Sequence, residues 1–146
     1  MITCSSTVTV ERPPGDVFRY IVEPDRQAQW SDVPMRRLTD GPVGVGSRFQ
    51  LTLGRGPLRA PITLEVAALE PDRRFAFTTV STGPVLWDGE YQVQPTGFAA
   101  SLLSQTGRLR FRGLWRLVEP IVGAEIRRGE IKELERLKAA AEADRS

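Results

Sequence analysis

Between Ser47 and Arg112 apolar and polar residues alternate in five successive runs, each followed by turn-forming residues, and this pattern limits the possible folds more than any other feature of the chain. Phe49, Leu51 and Leu53 alternate with Arg48, Gln50 and Thr52, and Gly54-Arg55-Gly56-Pro57 reads as a turn. Ile62, Leu64, Val66 and Ala68 alternate with Thr63, Glu65 and Ala67 up to Glu70-Pro71-Asp72, and Phe75, Phe77 and Thr79 form the next run, ahead of Thr82-Gly83-Pro84. Trp87, Gly89, Tyr91 and Val93 oppose Asp88, Glu90 and Gln92 before Pro95-Thr96-Gly97. In the last run Ser101, Leu103, Gln105, Leu109 and Phe111 oppose Leu102, Ser104, Arg108, Arg110 and Arg112. A period of two places each set on one face of a strand. Strands this close in sequence pair antiparallel, because a parallel pair needs a long crossover.

The segments on either side complete the pattern. Ile2 to Glu11 reads as a first strand with Cys4, Ser6, Val8 and Val10 on one face. Pro13 and Pro14 end it, Val17, Phe18, Tyr20, Ile21 and Val22 have the spacing of a short amphipathic helix, and Pro24 stops that helix. A second short helix is expected over Asp25 to Trp30, then a strand over Met35 to Thr39 and a turn at Asp40-Gly41-Pro42. After Gly113 the period changes to that of a helix. Leu114, Leu117, Val118, Ile121, Val122 and Glu125 form one stripe, and Ile131, Leu134, Leu137 and Ala141 form another rotated away from it, which predicts a kink or a restart between Pro120 and Gly129. Glu133 with Arg136 and Glu135 with Lys138 are expected on the solvent face of that helix.

The expected architecture is one α+β domain over residues 1–146. A strongly curved antiparallel sheet of six or seven strands wraps a long C-terminal helix, with two short helices after the first strand. One helix cannot touch the whole apolar face of such a sheet unless the sheet curls, and a curled sheet encloses a cavity. Phe49, Phe75, Phe77, Trp87, Tyr91 and Phe111 are placed to line it.

Composition narrows the chemistry. The chain has no histidine and a single cysteine, Cys4. Ser-His-Asp and Cys-His arrangements, an internal disulfide and the usual zinc sites are therefore excluded, and neither a metal nor a cofactor is expected. Charged residues make up 26% of the chain, and the apolar stretch Leu114 to Ile126 is broken by Arg116, Glu119, Pro120 and Glu125, so no membrane insertion is expected. The first residues carry no basic region followed by an apolar run, which leads to the expectation of a cytoplasmic protein.

Several stretches together resemble the START-like (SRPBCC) superfamily, in particular its polyketide cyclase/dehydrase branch with the helix-grip fold. These are Arg12-Pro13-Pro14-Gly15-Asp16-Val17-Phe18-Arg19-Tyr20, Trp30 after Asp25, Gly44-Val45-Gly46-Ser47-Arg48-Phe49, Glu70-Pro71-Asp72-Arg73-Arg74-Phe75 and Leu134-Glu135-Arg136-Leu137-Lys138. The resemblance implies binding of a lipid, polyketide or other aromatic molecule in an internal cavity, with cyclase or aromatase activity as the alternative. A third reading, independent of the resemblance, is a protein-interaction module without a ligand; the chain is expected to be a monomer or a homodimer.

The candidate ligand-binding residues are Trp30, Phe49, Leu51, Phe75, Phe77, Trp87, Tyr91, Leu103, Gln105, Trp115, Val118 and Ile121. For the three tryptophans core packing is the plainer reading. Tyr91 and Gln105 either bond each other or orient a ligand. Glu125 and Arg128 either form a polar pair at the cavity, joining Tyr91 as the candidate catalytic set, or lie on the surface. Glu65, Asp88 and Glu90 belong to outer faces. Gly44-Val45-Gly46 reads as a turn, since a strand follows and a third glycine is missing. Arg108, Arg110 and Arg112 share a strand face without an aromatic stacking platform, so no nucleic-acid partner is expected. The segment Ser31 to Gly46 is the expected lid.

Overall fold

The computed structural model describes residues 2–27, 29–31, 35–53 and 59–143, with residues 24, 25 and 53 described by backbone alone. In chain order the elements are β1 (Ile2–Val10), α1 (Pro14–Val22), α2 (Pro24–Gln27), β2 (Arg36–Arg37), β3 (Arg48–Leu53), β4 (Ala60–Glu70), β5 (Arg74–Thr79), β6 (Val85–Gly97) and β7 (Ala100–Phe111). A 3-10 segment (Gly113–Val118) then leads into α3 (Glu119–Ala143). The seven strands form one curved antiparallel sheet in the order β1-β7-β6-β5-β4-β3-β2, the helix-grip arrangement. The turn expected at Gly54-Arg55-Gly56-Pro57 and residues 32–34 of the expected lid lie outside the described residues.

The sheet's register follows from its alternation. Across β1, β7 and β6 the pairs Ser6 with Gln105, Gln105 with Tyr91, Cys4 with Gly107 and Gly107 with Gly89 lie directly opposite one another, so each forms part of a row across one face. That face is the concave one. It buries Val10, Phe49, Leu51, Ile62, Leu64, Val66, Phe75, Phe77, Tyr91, Val93 and Leu103 in the larger of two apolar clusters. On the opposite face Glu65 pairs with Arg48 at 3.2 Å, Glu90 pairs with Arg74, and Asp88 accepts from Thr78 at 2.6 Å, as the alternation predicts.

The helices close the concave side. Pro14 sits in the first turn of α1, where its missing N–H costs nothing, and Glu23 ends that helix just before Pro24. The buried face of α1 is Val17, Phe18, Tyr20 and Ile21, and the indole Nε1 of Trp30 donates to the Tyr20 carbonyl at 2.8 Å. Helix α3 runs closest to β1. A Cβ on Gly123 would lie 2.8 Å from Ile2 Cδ1, so the close approach depends on that glycine. At its far end the helix is tied to the end of β1. Lys138 Nζ donates to the Thr9 carbonyl at 2.6 Å, Arg12 Nε donates to the Ala141 carbonyl at 3.0 Å, and the Glu11 N–H donates to Glu142 Oε2 at 2.8 Å.

Four expectations are corrected. The second helix and the strand before Thr39 are shorter than predicted, at four and two residues. The helix does not restart between Pro120 and Gly129; the break comes earlier, where the 3-10 segment passes into an α3 that runs on from Glu119. Most of the first stripe does not face the sheet, since Leu114, Leu117 and Ile121 are 82%, 77% and 69% exposed, and only Val122 packs on the smaller apolar cluster. The inward residues of α3 are Gly123, Leu134, Leu137 and Ala141, with Ile126 and Glu130 half-buried between them. Among the described residues no helix is long and apolar enough to cross a membrane.

Candidate functional site

Between α3 and the sheet, the middle of the concave face carries a polar row. Strand β1 contributes Ser6, β7 contributes Gln105 and β6 contributes Tyr91, each on an inward position that the period of two assigns. Gln105 Nε2 donates to the Tyr91 hydroxyl at 3.1 Å, which leaves the phenolic proton available to another acceptor. Gln105 Oε1 and Ser6 Oγ are buried and have no hydrogen-bond partner. Two such neighbours on one row are unusual in a protein interior, where buried polar atoms are almost always paired.

Aromatic rings surround this row. Trp30 meets Tyr91 edge to face with centroids 6.2 Å apart, and Phe77 contacts Trp87 at 4.7 Å and lies 6.3 Å from Tyr91. Phe75 follows at 6.1 Å from Phe77. Glycines make room for the rings. A Cβ on Gly89 would fall 2.4 Å from the tip of Phe77, and one on Gly107 would lie 3.1 Å from Trp87 Nε1 and 3.5 Å from Glu130 Oε1.

Glu130 is the carboxyl that α3 brings over the Cys4 and Gly107 positions. Burial and the neighbouring Glu133 push it up to about 7, with partial relief from a hydrogen bond with the Cys4 thiol. Burial raises the Tyr91 phenol further, helped by the charges of Glu133 and Glu130, so it stays protonated. The Cys4 thiol is also raised, by burial and by Glu130, against the lowering influence of Arg127. A carboxyl near 7 beside a protonated phenol can donate or accept a proton at neutral pH.

The other edge of the sheet carries the opposite charge. Arg37 on β2 stands directly opposite Phe49 on β3, and its Nε and Nη2 atoms are buried without an acceptor.

The structure gathers most of the expected ligand-binding residues. Trp30, Phe49, Leu51, Phe75, Phe77, Tyr91 and Leu103 belong to the larger cluster, with Trp87 packed against it, and Gln105 is buried among them. Trp115 packs instead on the smaller cluster of Ile2, Cys4, Ala60, Val85, Leu109 and Phe111, and Val118 is half-buried on the same 3-10 segment. Ile121 faces solvent. Glu125 and Arg128 are exposed as well, and Arg128 Nε donates to the Ala124 carbonyl of its own helix, so of the two readings the surface position holds and they form no polar pair at the cavity. Its place is taken by Glu130 and Glu133, the latter expected on the solvent face and found half-buried. Their signal was the spacing to Leu134 and Leu137, the residues that do pack inward. Among the described residues no group of His, Cys, Asp and Glu could hold a metal.

A sequence model of the family described as "Polyketide cyclase / dehydrase and lipid transport" matches residues 1–142. The chain belongs to this family. Among solved structures this member of the family is similar to one from Thermus thermophilus, with a TM-score of 0.80 at 14% identity, covering 99% of each chain. It is also similar to the Zhui aromatase/cyclase from a Streptomyces species, with a TM-score of 0.79 at 18% identity over 96% of this chain and 93% of that one. Norcoclaurine synthase from Thalictrum flavum follows, at 0.71 and 13% over 99% and 96%. At these identities the likeness is one of fold. Nothing matches among curated proteins.

Proposed function

We propose that the chain binds a hydrophobic, aromatic small molecule between α3 and the concave face of the sheet, with a hydroxyl or keto group of the ligand on the row Ser6, Gln105 and Tyr91. The observation that carries this reading is the pair of unpartnered buried atoms, Gln105 Oε1 and Ser6 Oγ, set within a wall of rings. An unsatisfied buried polar atom costs about 1–3 kcal/mol, and a ligand supplying its missing partner recovers that cost. The rings supply the apolar lining such a ligand needs. Membership of a family of cyclases, dehydrases and lipid carriers supports the same class of ligand. If cyclisation follows binding, Glu130, and not Glu125 with Arg128, is the group that would move the proton together with Tyr91.

A neutral fluorescent probe, 1-pyrenebutanol, tests the reading. Titration is expected to give saturable binding of one probe per chain with quenching of the Trp30 and Trp87 emission. No saturable binding, together with no apolar molecule retained in native mass spectrometry of the purified protein, would overturn it.

A further inference from the structure

We propose that Arg37 is an anion-binding residue of this site and that the ligand carries a carboxylate, or another acidic oxygen of the same charge, at the end facing the β2 edge. The inference rests on the ligand-binding reading above and specifies the class of molecule. Arg37 and Phe49 are direct cross-strand partners, and such pairs share a face of the sheet, here the face on which Phe49 is buried. Two of the guanidinium nitrogens, Nε and Nη2, are shielded from solvent and meet no acceptor. The inner positions next to Arg37 on β3 and β4 are Phe49, Leu51, Ile62, Leu64 and Val66, none of which can accept a hydrogen bond through its side chain.

Chemistry then narrows what would complete the group. A buried carboxyl such as Glu130 escapes an unfavourable site by holding its proton, whereas a guanidinium cannot shed its charge under ordinary conditions. Arg37 is half-buried, and two of its donors shielded from water without an acceptor are costly, while its planar fork matches two oxygens on one atom. The ligand's acidic group would therefore pair with Arg37, while its hydroxyl or keto end reaches Tyr91. Four strand spacings of about 4.8 Å separate β2 from β6, so the two ends are less than about 19 Å apart along the sheet, and closer across the concavity. That span suits several fused rings or an extended chain bearing a terminal acid. It also places the negative end away from Glu130 and Glu133, which lie on the β1 side.

A matched pair of probes tests this. 1-Pyrenebutyrate and 1-pyrenebutanol share an aromatic body and differ in charge. Wild type is expected to bind the acid on the order of tenfold or more tightly than the alcohol. In Arg37→Gln that ratio should fall to about one while the alcohol's affinity stays within about twofold, and Arg37→Lys, which keeps the charge but not the fork, should give an intermediate ratio. In the absence of ligand, Arg37→Gln should melt at or above the wild-type temperature, because it removes two shielded donors that have no acceptor. If neither probe binds wild type, the ligand-binding reading itself fails. Equal affinities for acid and alcohol in wild type, an acid preference that survives in Arg37→Gln, or a loss of several degrees in the melting temperature of that variant would each overturn the role of Arg37 and leave the ligand-binding reading standing.

Discussion

Gly89 shows how closely single residues are specified around the site. The tip of the Phe77 ring occupies the place a side chain would take, and that ring is held by Trp87 on one side and by Phe75 and Tyr91 on others. It cannot swing aside without unpacking them. Gly89→Ala is therefore expected to destabilise the fold by about 1–3 kcal/mol, the usual cost of overpacking, read as a lower urea midpoint at an unchanged slope. Alanine is not otherwise unwelcome in a strand, so wild-type stability in this variant would show that the ring is not so confined. Tyr91 and Gln105 were legible in advance because a long alternating run identifies its inner face. Arg37 was not. Burial does alternate over Met35 to Thr39, but Arg36 and Arg37 stand side by side in that run, and two adjacent arginines give no apolar signal of which one turns inward.

Among the elements, α3 departs furthest from what the sequence suggests, and the cause is its continuity. An α-helix advances about 100° per residue, so on one unbroken helix from Glu119 to Ala143 the positions Ile121, Glu125 and Arg128 lie about 120° or more round from Leu134 and Leu137. Leu134 and Leu137 pack inward, so those three face solvent, as Leu114 and Leu117 do on the segment before them. Val122, nearer in phase, stays half-buried, and of the second stripe only Ile131 is exposed. Leu137→Ala should accordingly cost about 2–5 kcal/mol, while Leu117→Ala should stay within about 0.5 kcal/mol of wild type, both measured by chemical denaturation. A large loss in the second variant would return the first stripe to the interior. The sheet needed no such correction, since its turns interrupt the period of two without changing it.

For the whole molecule, the site leaves a mark on the pH dependence of folding. The native state holds a proton on Glu130 up to about pH 7, whereas the unfolded chain releases it near 4.5. Between those values the native state binds more protons, so this group's contribution is full below pH 4.5 and is lost as pH rises through about 7. Glu90, lowered by its hydrogen bonds with Gln92 and Arg74, and Glu142, lowered by the Glu11 N–H and Lys138, have the opposite sign and act below pH 4.5. The chain has no histidine to titrate inside the window. Thermal unfolding followed by circular dichroism should show the wild-type midpoint falling from pH 5 to 8, and a flatter profile in Glu130→Gln. Parallel profiles for the two proteins would mean that Glu130 is solvated as an ordinary surface acid.

The bonds joining Lys138, Ala141 and Glu142 to Thr9, Arg12 and Glu11 bolt one extremity of the long helix to the end of the first strand. Cutting that bolt, by Lys138→Met together with Arg12→Met, should free the last turns of the helix while its other end stays seated on Ile2 through Gly123, and so should loosen the closure of the concave face without touching Ser6, Gln105 or Tyr91.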